Sequence, residues 1–357
     1  MKILFFHTYN RGYLSRFFHE LAAKLKQEGH EVISFTWKNS KSERIIDGVK
    51  VIVKKKKGYL VNYRNVYTII KRERPEVILS NFSYVNPALL FGKLFQVKKN
   101  MVWFHSLNAQ MESSKLQVFI KKQFLKLADT VIANSFITKG ELHKDYAVPD
   151  YKLTALPFWS TISEQEIQPT DLKFTARKDV IKIGCPGRMA SHKNQNVVIE
   201  ALSAINNTYN YDFYLYFAGS GEELNNLETK VAKENLIDKV TFLDHLSSND
   251  MIAFYNAMDV IILPSLHEAF GLVFIEAISL GKPLIVSSQF GALSFIDHEK
   301  YQIEKITFNP ESISDLEEKL ILHFKNESLT PKEIKKMYSD NFNKNVVFES
   351  FYNLISD

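Results

Sequence analysis

Two glutamates eight positions apart carry the clearest chemical signal in the chain. Glu268 and Glu276 lie in the stretch Pro264-Ser265-Leu266-His267-Glu268-Ala269-Phe270-Gly271-Leu272, which continues to Glu276-Ala277. If the chain is helical from Leu272 on, the helical rise sets the two carboxylates about 12 Å apart along the axis. That is too far to share a proton. It suits two carboxylates gripping different parts of one long ligand, with the helix N-terminus holding anionic charge between them. A nucleoside diphosphate sugar has that layout, with sugar hydroxyls at one end and ribose hydroxyls at the other. A second constellation, Gly187-Arg188 followed by Lys193-Asn194, places Arg and Lys five apart in a loop after an apolar run. Two such cations can meet a diphosphate. His105 closes another apolar run, Met101–Phe104.

The elements that must position these residues read as follows. Asp259-Val260-Ile261-Ile262-Leu263 is apolar and β-branched enough for a buried parallel strand. Pro264 ends it, Gly271 permits a close backbone approach, and Leu272–Leu280 is a helix closed by Gly281 and Pro283. At the N-terminus, a strand Lys2–Phe6, a turn ending at Gly12, a helix Ser15–Gln27 and a strand Glu31–Phe35 form a βαβ start, hence an open parallel sheet with its ligand edge at the strand C-termini. Further strands are expected at Val49–Val53, Val77–Leu79, Met101–Phe104, Thr130–Ala133, Ile181–Gly184, Asp212–Phe217, Val240–Leu243 and Pro283–Val286. His105 then sits at a ligand edge.

The 357 residues predict two domains. The single cysteine, Cys185, excludes a disulfide framework and a Cys-based zinc site, and is read as a small core residue. No Asp-x-Asp and no His/Cys/Asp cluster at metal spacing is present, so no metal and no cofactor is expected. No apolar stretch reaches membrane-spanning length and no secretory signal is recognised, which predicts a cytoplasmic protein. The net charge of +5 is uneven: residues 1–160 carry 27 Lys+Arg against 12 Asp+Glu, whereas residues 161–357 carry 18 against 28. The basic half suits an anionic membrane surface or lipid phosphate; no nucleic-acid signature is present. Lys54–Lys57, followed by Tyr59, Tyr63 and Arg64, is either a solvated loop or an acceptor-phosphate or membrane contact. Ser113–Leu127 is a basic amphipathic helix whose stripe Phe119, Ile120, Phe124 and Leu127 packs on the core or leans on a membrane.

The segment from Pro264 through Glu276-Ala277 to Gly281-Lys282-Pro283 resembles the E-x7-E signature of retaining glycosyltransferases of glycosyltransferase family 4. The Arg188/Lys193 loop, the Gly219-Ser220-Gly221 turn and the first-domain run Leu21-Ala22 to Gly29-His30-Glu31-Val32 resemble the same family. The resemblance implies a GT-B fold, α/β with two facing Rossmann-like domains, parallel sheets and an interdomain cleft. It implies an acceptor domain 1–160 with a C-terminal crossover helix at about 341–357, a linker 161–179 and a donor domain 180–340.

By the same resemblance the activity is metal-independent, retaining transfer from a nucleotide sugar, UDP-sugar before GDP-sugar, to a glycan or lipid-linked acceptor in bacterial surface polysaccharide synthesis at the inner face of the membrane. Glu268, His105, Arg188 and Lys193 would be catalytic. Gly12, Gly187, Gly219, Leu246, Phe270, Gly271, Leu272 and Glu276 would help bind the nucleotide sugar. Family members usually carry a Gly pair in the first turn, where only Gly12 stands, and a Gly before the base-contacting loop, where Asp244-His245-Leu246 stands. Two rivals are a nucleotide-sugar 2-epimerase of the same fold, which needs acid/base carboxylates in the acid-poor first domain, and a non-catalytic glycan- or partner-binding relative, which intact Glu268, Arg188 and Lys193 disfavour.

Overall fold

The computed structural model describes residues 1–10, 12–38, 41–107, 114–162, 172–174, 179–209 and 211–356. Ser113 and most of the expected linker 161–179 lie outside these. The chain divides into two compact units, Met1–Thr161 with the C-terminal helix Lys344–Ser356, and Ile162–Asn343.

The first unit is built on an eight-stranded sheet. Its strands are β1 (Lys2–Phe6), β2 (Glu31–Lys38), β3 (Ser42–Ile46), β4 (Val49–Lys55), β5 (Val77–Ser80), β6 (Lys99–Phe104), β7 (Thr130–Ala133) and β8 (Leu153–Ala155), in the order β3-β4-β2-β1-β5-β6-β7-β8. All pairs are parallel except β3 with β4. That pair is a hairpin turned by Asp47 and Gly48, both at positive φ (49° and 76°), the Asp-Gly chemistry of a type I′ turn. The helix Tyr13–Gln27 buries Phe17, Phe18, Leu21, Ala22 and Leu25 on one stripe. Phe17 and Phe18 pack edge-on against Trp103, on whose other neighbour Phe351 the C-terminal helix is anchored by a stacked contact at 5.8 Å. Burial of an aromatic side chain of this kind contributes about 1.5–3 kcal/mol, so Phe351 and the equally buried Phe348 fix that helix to this unit.

In the second unit six parallel strands, β9 (Ile181–Pro186), β10 (Phe213–Ala218), β11 (Val240–Leu243), β12 (Val260–Leu263), β13 (Leu284–Ser287) and β14 (Thr307–Phe308), run in the order β11-β10-β9-β12-β13-β14. Their core joins Ile183, Leu215, Phe217, Ile262 and Ile285 to Val198, Leu202 and Leu316 of the covering helices. The chain winds outward from β9 in one direction and from β12 in the other. The strand order therefore reverses between β9 and β12, the place where open α/β sheets hold their ligands.

Candidate functional site

The two loops that leave that switch point carry Gly187, Arg188 and Lys193 after β9 and Glu268, Phe270 and Gly271 after β12, whereas Gly219 and Leu246 follow β10 and β11. The loop after β9 opens with Gly187 at φ 144°, and its main chain pairs with the loop after β10: Gly187 N donates to Ala218 O at 2.9 Å and Met189 N to Ser220 O at 3.0 Å. A Cβ on Gly219 would stand 2.2 Å from Gly187 O, and one on Gly221 2.1 Å from Met189 O. The Gly-x-Gly turn is thus glycine because another backbone lies against it, and through that contact it sets the course of the Arg188 loop. Gln195, buried, donates from Nε2 to Arg188 O at 3.0 Å, while the Arg188 side chain is exposed. Asn194 takes the left-handed conformation (φ 56°) that caps helix Gln195–Thr208 and donates to Pro310 O at 2.8 Å.

The loop after β12 is tied to its neighbour by Leu266 N donating to His192 O at 2.9 Å. Glu268 forms a single parallel bridge with Phe290, donating to Gln289 O at 3.2 Å and accepting from Gly291 N at 3.0 Å. With its backbone so fixed, its carboxylate is salt-bridged to the Lys193 ammonium. The two side chains are only 14% and 20% exposed, where a cation–carboxylate contact is stronger than on open surface. Beside them His192 has its pKa lowered, first by burial and then by Lys193 and Arg188, so it adds no charge of its own.

Gly271 starts the helix Leu272–Ser279 at φ 100° with no side-chain cap. A Cβ there would stand 2.3 Å from the Phe290 ring, which is why only glycine serves. The start of this helix thus lies against the Glu268 side chain, 3.3 Å from where a Gly271 Cβ would stand, and the first-turn N–H groups of Leu272 and Val273 have no carbonyl partner within the helix. Two turns on, the half-buried Glu276 accepts from the Tyr255 hydroxyl at 2.8 Å. Phe270 differs from a ligand-stacking residue: its ring is 2% exposed and packs towards Phe295 and Phe342, so only its main chain can serve a ligand. Leu246 is half-buried in the loop after β11.

Gly12 and His105 belong to the first unit. Gly12 is exposed at the start of helix Tyr13–Gln27, its N–H held by Asn10 Oδ1 at 2.8 Å. His105 follows β6; both ring nitrogens are shut off from solvent without a hydrogen-bond partner among the described residues, and burial lowers its pKa to about 3. Three residues had no signal in the residue pattern: Tyr255, Gln195 and, in the first unit, Lys121. Tyr255 reaches Glu276 across 21 residues, Gln195 acts on a main-chain carbonyl of the loop before it, and Lys121 is marked only by its place in the fold, so residue spacing alone cannot find them.

One expectation needs correction. On the helix Lys115–Leu125, Phe119 and Ile120 do not join Phe124 and Leu127 in one stripe. Val118, Phe124, Leu125 and Leu127 pack on the core, whereas Leu116, Phe119 and Ile120 stand 65%, 58% and 42% exposed. Likewise Lys54 and Lys55 are not loop residues but the end of β4.

Two Rossmann-like units, the second with paired cation and carboxylate at its switch point, are the architecture of GT-B proteins. The chain matches "Glycosyltransferase Family 4" over residues 14–157 and "Glycosyl transferases group 1" over residues 168–341, and it belongs to that family. Among curated relatives, an uncharacterized glycosyltransferase of Methanocaldococcus jannaschii is 34% identical over 128 residues, 36% of this chain and 32% of the relative. The O-antigen biosynthesis glycosyltransferase WclY of Escherichia coli is 32% identical over 116 residues, 32% of this chain and 31% of the relative. The chain thus spans about a third of the length of these relatives. Among solved structures, Anabaena HepE in complex with UDP aligns with a TM-score of 0.77 at 15% identity over 100% of both chains. Sucrose-phosphate synthase from Thermosynechococcus elongatus aligns with a TM-score of 0.76 at 18% identity, covering 99% of this chain and 98% of its own. At such identities the likeness is one of fold.

Proposed function

We propose that the protein is a retaining, metal-independent glycosyltransferase that moves a sugar from a nucleoside diphosphate sugar to a glycan or lipid-linked acceptor in bacterial surface polysaccharide synthesis. The observation that carries this reading is the Lys193–Glu268 pair at the β9/β12 switch point, beside the uncapped helix N-terminus. As the bond from the anomeric carbon to the diphosphate breaks, negative charge grows on the leaving group. Lys193, Arg188 and the N–H groups of Leu272 and Val273 are placed to compensate it, with no need of a bound metal. Glu268 meets the sugar hydroxyls and Glu276, held by Tyr255, meets the ribose. A UDP-sugar is favoured because solved relatives of the fold bind UDP and UDP-glucose. The acceptor class is supported by relatives such as the O-antigen chain mannosyltransferase RfbU of Salmonella typhimurium, 26% identical over 47% of this chain and 45% of its own.

The first unit would lie at the inner face of the membrane. Among the described residues no helix is long and apolar enough to cross one, but Leu116, Phe119 and Ile120 sit exposed on a helix that also carries Lys115 and Lys122 and is followed by Lys126. The test of the activity is release of nucleoside diphosphate from candidate nucleotide sugars in the presence of EDTA.

A further inference from the structure

The first unit holds a cavity of about 270 Å³ at the C-terminal ends of β5 and β6, lined by Phe82, Ser83, Trp103, His105, Ser106 and Lys121 among others. Its chemistry is uneven. Lys121 lies on the core-facing side of helix Lys115–Leu125, in register with Val118 three residues before it and Leu125 four after it, where an apolar residue would be the ordinary choice. Burial alone lowers its pKa, and none of the described lining residues is a carboxylate. A half-buried ammonium in such a place loses part of its solvation, and no carboxylate in the described lining offsets that loss. Both His105 ring nitrogens are buried without a partner among the described residues. Phe82 holds a left-handed backbone (φ 51°), a costly conformation for a bulky residue, and sets its ring 4.8 Å from the imidazole. Two hydroxyls, a neutral imidazole able to donate one N–H and a half-buried cation thus line one space.

We propose that this cavity receives an oxyanion, a phosphate or a carboxylate carried by the acceptor, with Lys121 as its counter-charge and Ser83, Ser106 and His105 as hydrogen-bond donors. Assigning the anion to the acceptor rests on the transferase reading; the anion site itself does not. At this volume the cavity takes one charged group and its immediate substituent, since sites for whole small molecules are usually larger. Lys121 is thereby a specificity-determining residue, separate from Arg188 and Lys193, which serve the diphosphate in the other unit.

The experiment follows isotope-labelled histidine by NMR, with the His105 signal identified by its loss in His105→Gln. Inorganic phosphate and, separately, glucuronate are titrated into the full-length protein. The expected result is a saturable shift of the His105 signal with at least one of them. Lys121→Gln should weaken binding by at least about tenfold, the loss of one charged hydrogen bond, while Lys121→Arg retains it. Phosphate alone acting identifies a phosphorylated acceptor; glucuronate alone acting identifies an acidic sugar. A His105 signal indifferent to both anions, or an equal response in wild type and Lys121→Gln, overturns the proposal. UDP binding by calorimetry in the same samples should fall in Lys193→Ala and hold in Lys121→Gln. If no variant, nor the wild type, binds UDP while the anion site behaves as expected, the donor reading fails and the anion site stands.

Discussion

Lys193 and Glu268 neutralise each other across two loops, and that pairing separates the roles of the two glutamates. A nucleoside diphosphate has no sugar for Glu268 to hold, and Glu268→Gln also frees the Lys193 charge for the diphosphate. Calorimetric titration of UDP should therefore find Glu268→Gln binding as well as wild type or more tightly, although its kcat falls strongly. Glu276→Gln keeps Tyr255 nearby but loses a charged acceptor, and should bind UDP more weakly by about 1.5–3 kcal/mol, with a raised donor KM. The opposite pattern would mean the ligand runs the other way along the helix. These two residues were legible in the sequence because a turn glutamate and a helix glutamate at fixed spacing need only local structure to be placed. Tyr255 was not: it reaches Glu276 from a helix 21 residues earlier, and no spacing rule encodes that contact.

The same limit holds for elements. β1 and β7 begin and end where the apolar runs do, because buried parallel strands read as continuous hydrophobic stretches. β3 was missed although Asp47-Gly48 marks its turn, since Ser42–Ile45 are all exposed and an edge strand carries no apolar run. The helix Lys115–Leu125 was read as one stripe, whereas its apolar residues serve two faces. Its outer face, Leu116, Phe119 and Ile120 among lysines, has the composition of a helix lying on an anionic lipid surface. Sedimentation with acidic liposomes should accordingly fall as salt rises, and a Leu116→Ser, Phe119→Ser double substitution should weaken it further without lowering the melting temperature. Failure to sediment with acidic liposomes at any salt concentration would leave that face without a membrane role.

At the scale of the molecule, the charge division between residues 1–160 and 161–357 coincides closely with the boundary of the two units. The basic unit also contains an acid-sensitive element. His7 is 1% exposed and burial lowers its pKa from 6.5 to about 4. Between those values the unfolded chain binds a proton that the folded chain refuses, so this contribution to stability is complete above pH 6.5 and is lost as pH falls. A drop from pH 6.5 to 5 should cost about 1.5 kcal/mol through His7, and His7→Phe, matched to its aromatic neighbours, should flatten that part of the melting-temperature profile. The central claim concerns how the second unit compensates a leaving diphosphate. It is tested most directly by measuring UDP release from UDP-sugars in EDTA for wild type and Lys193→Ala. Release undiminished by EDTA and reduced roughly 100-fold in Lys193→Ala, about 3 kcal/mol of lost charge compensation, is the predicted result. Activity that vanishes in EDTA and returns with magnesium or manganese, or that is indifferent to Lys193, would contradict it.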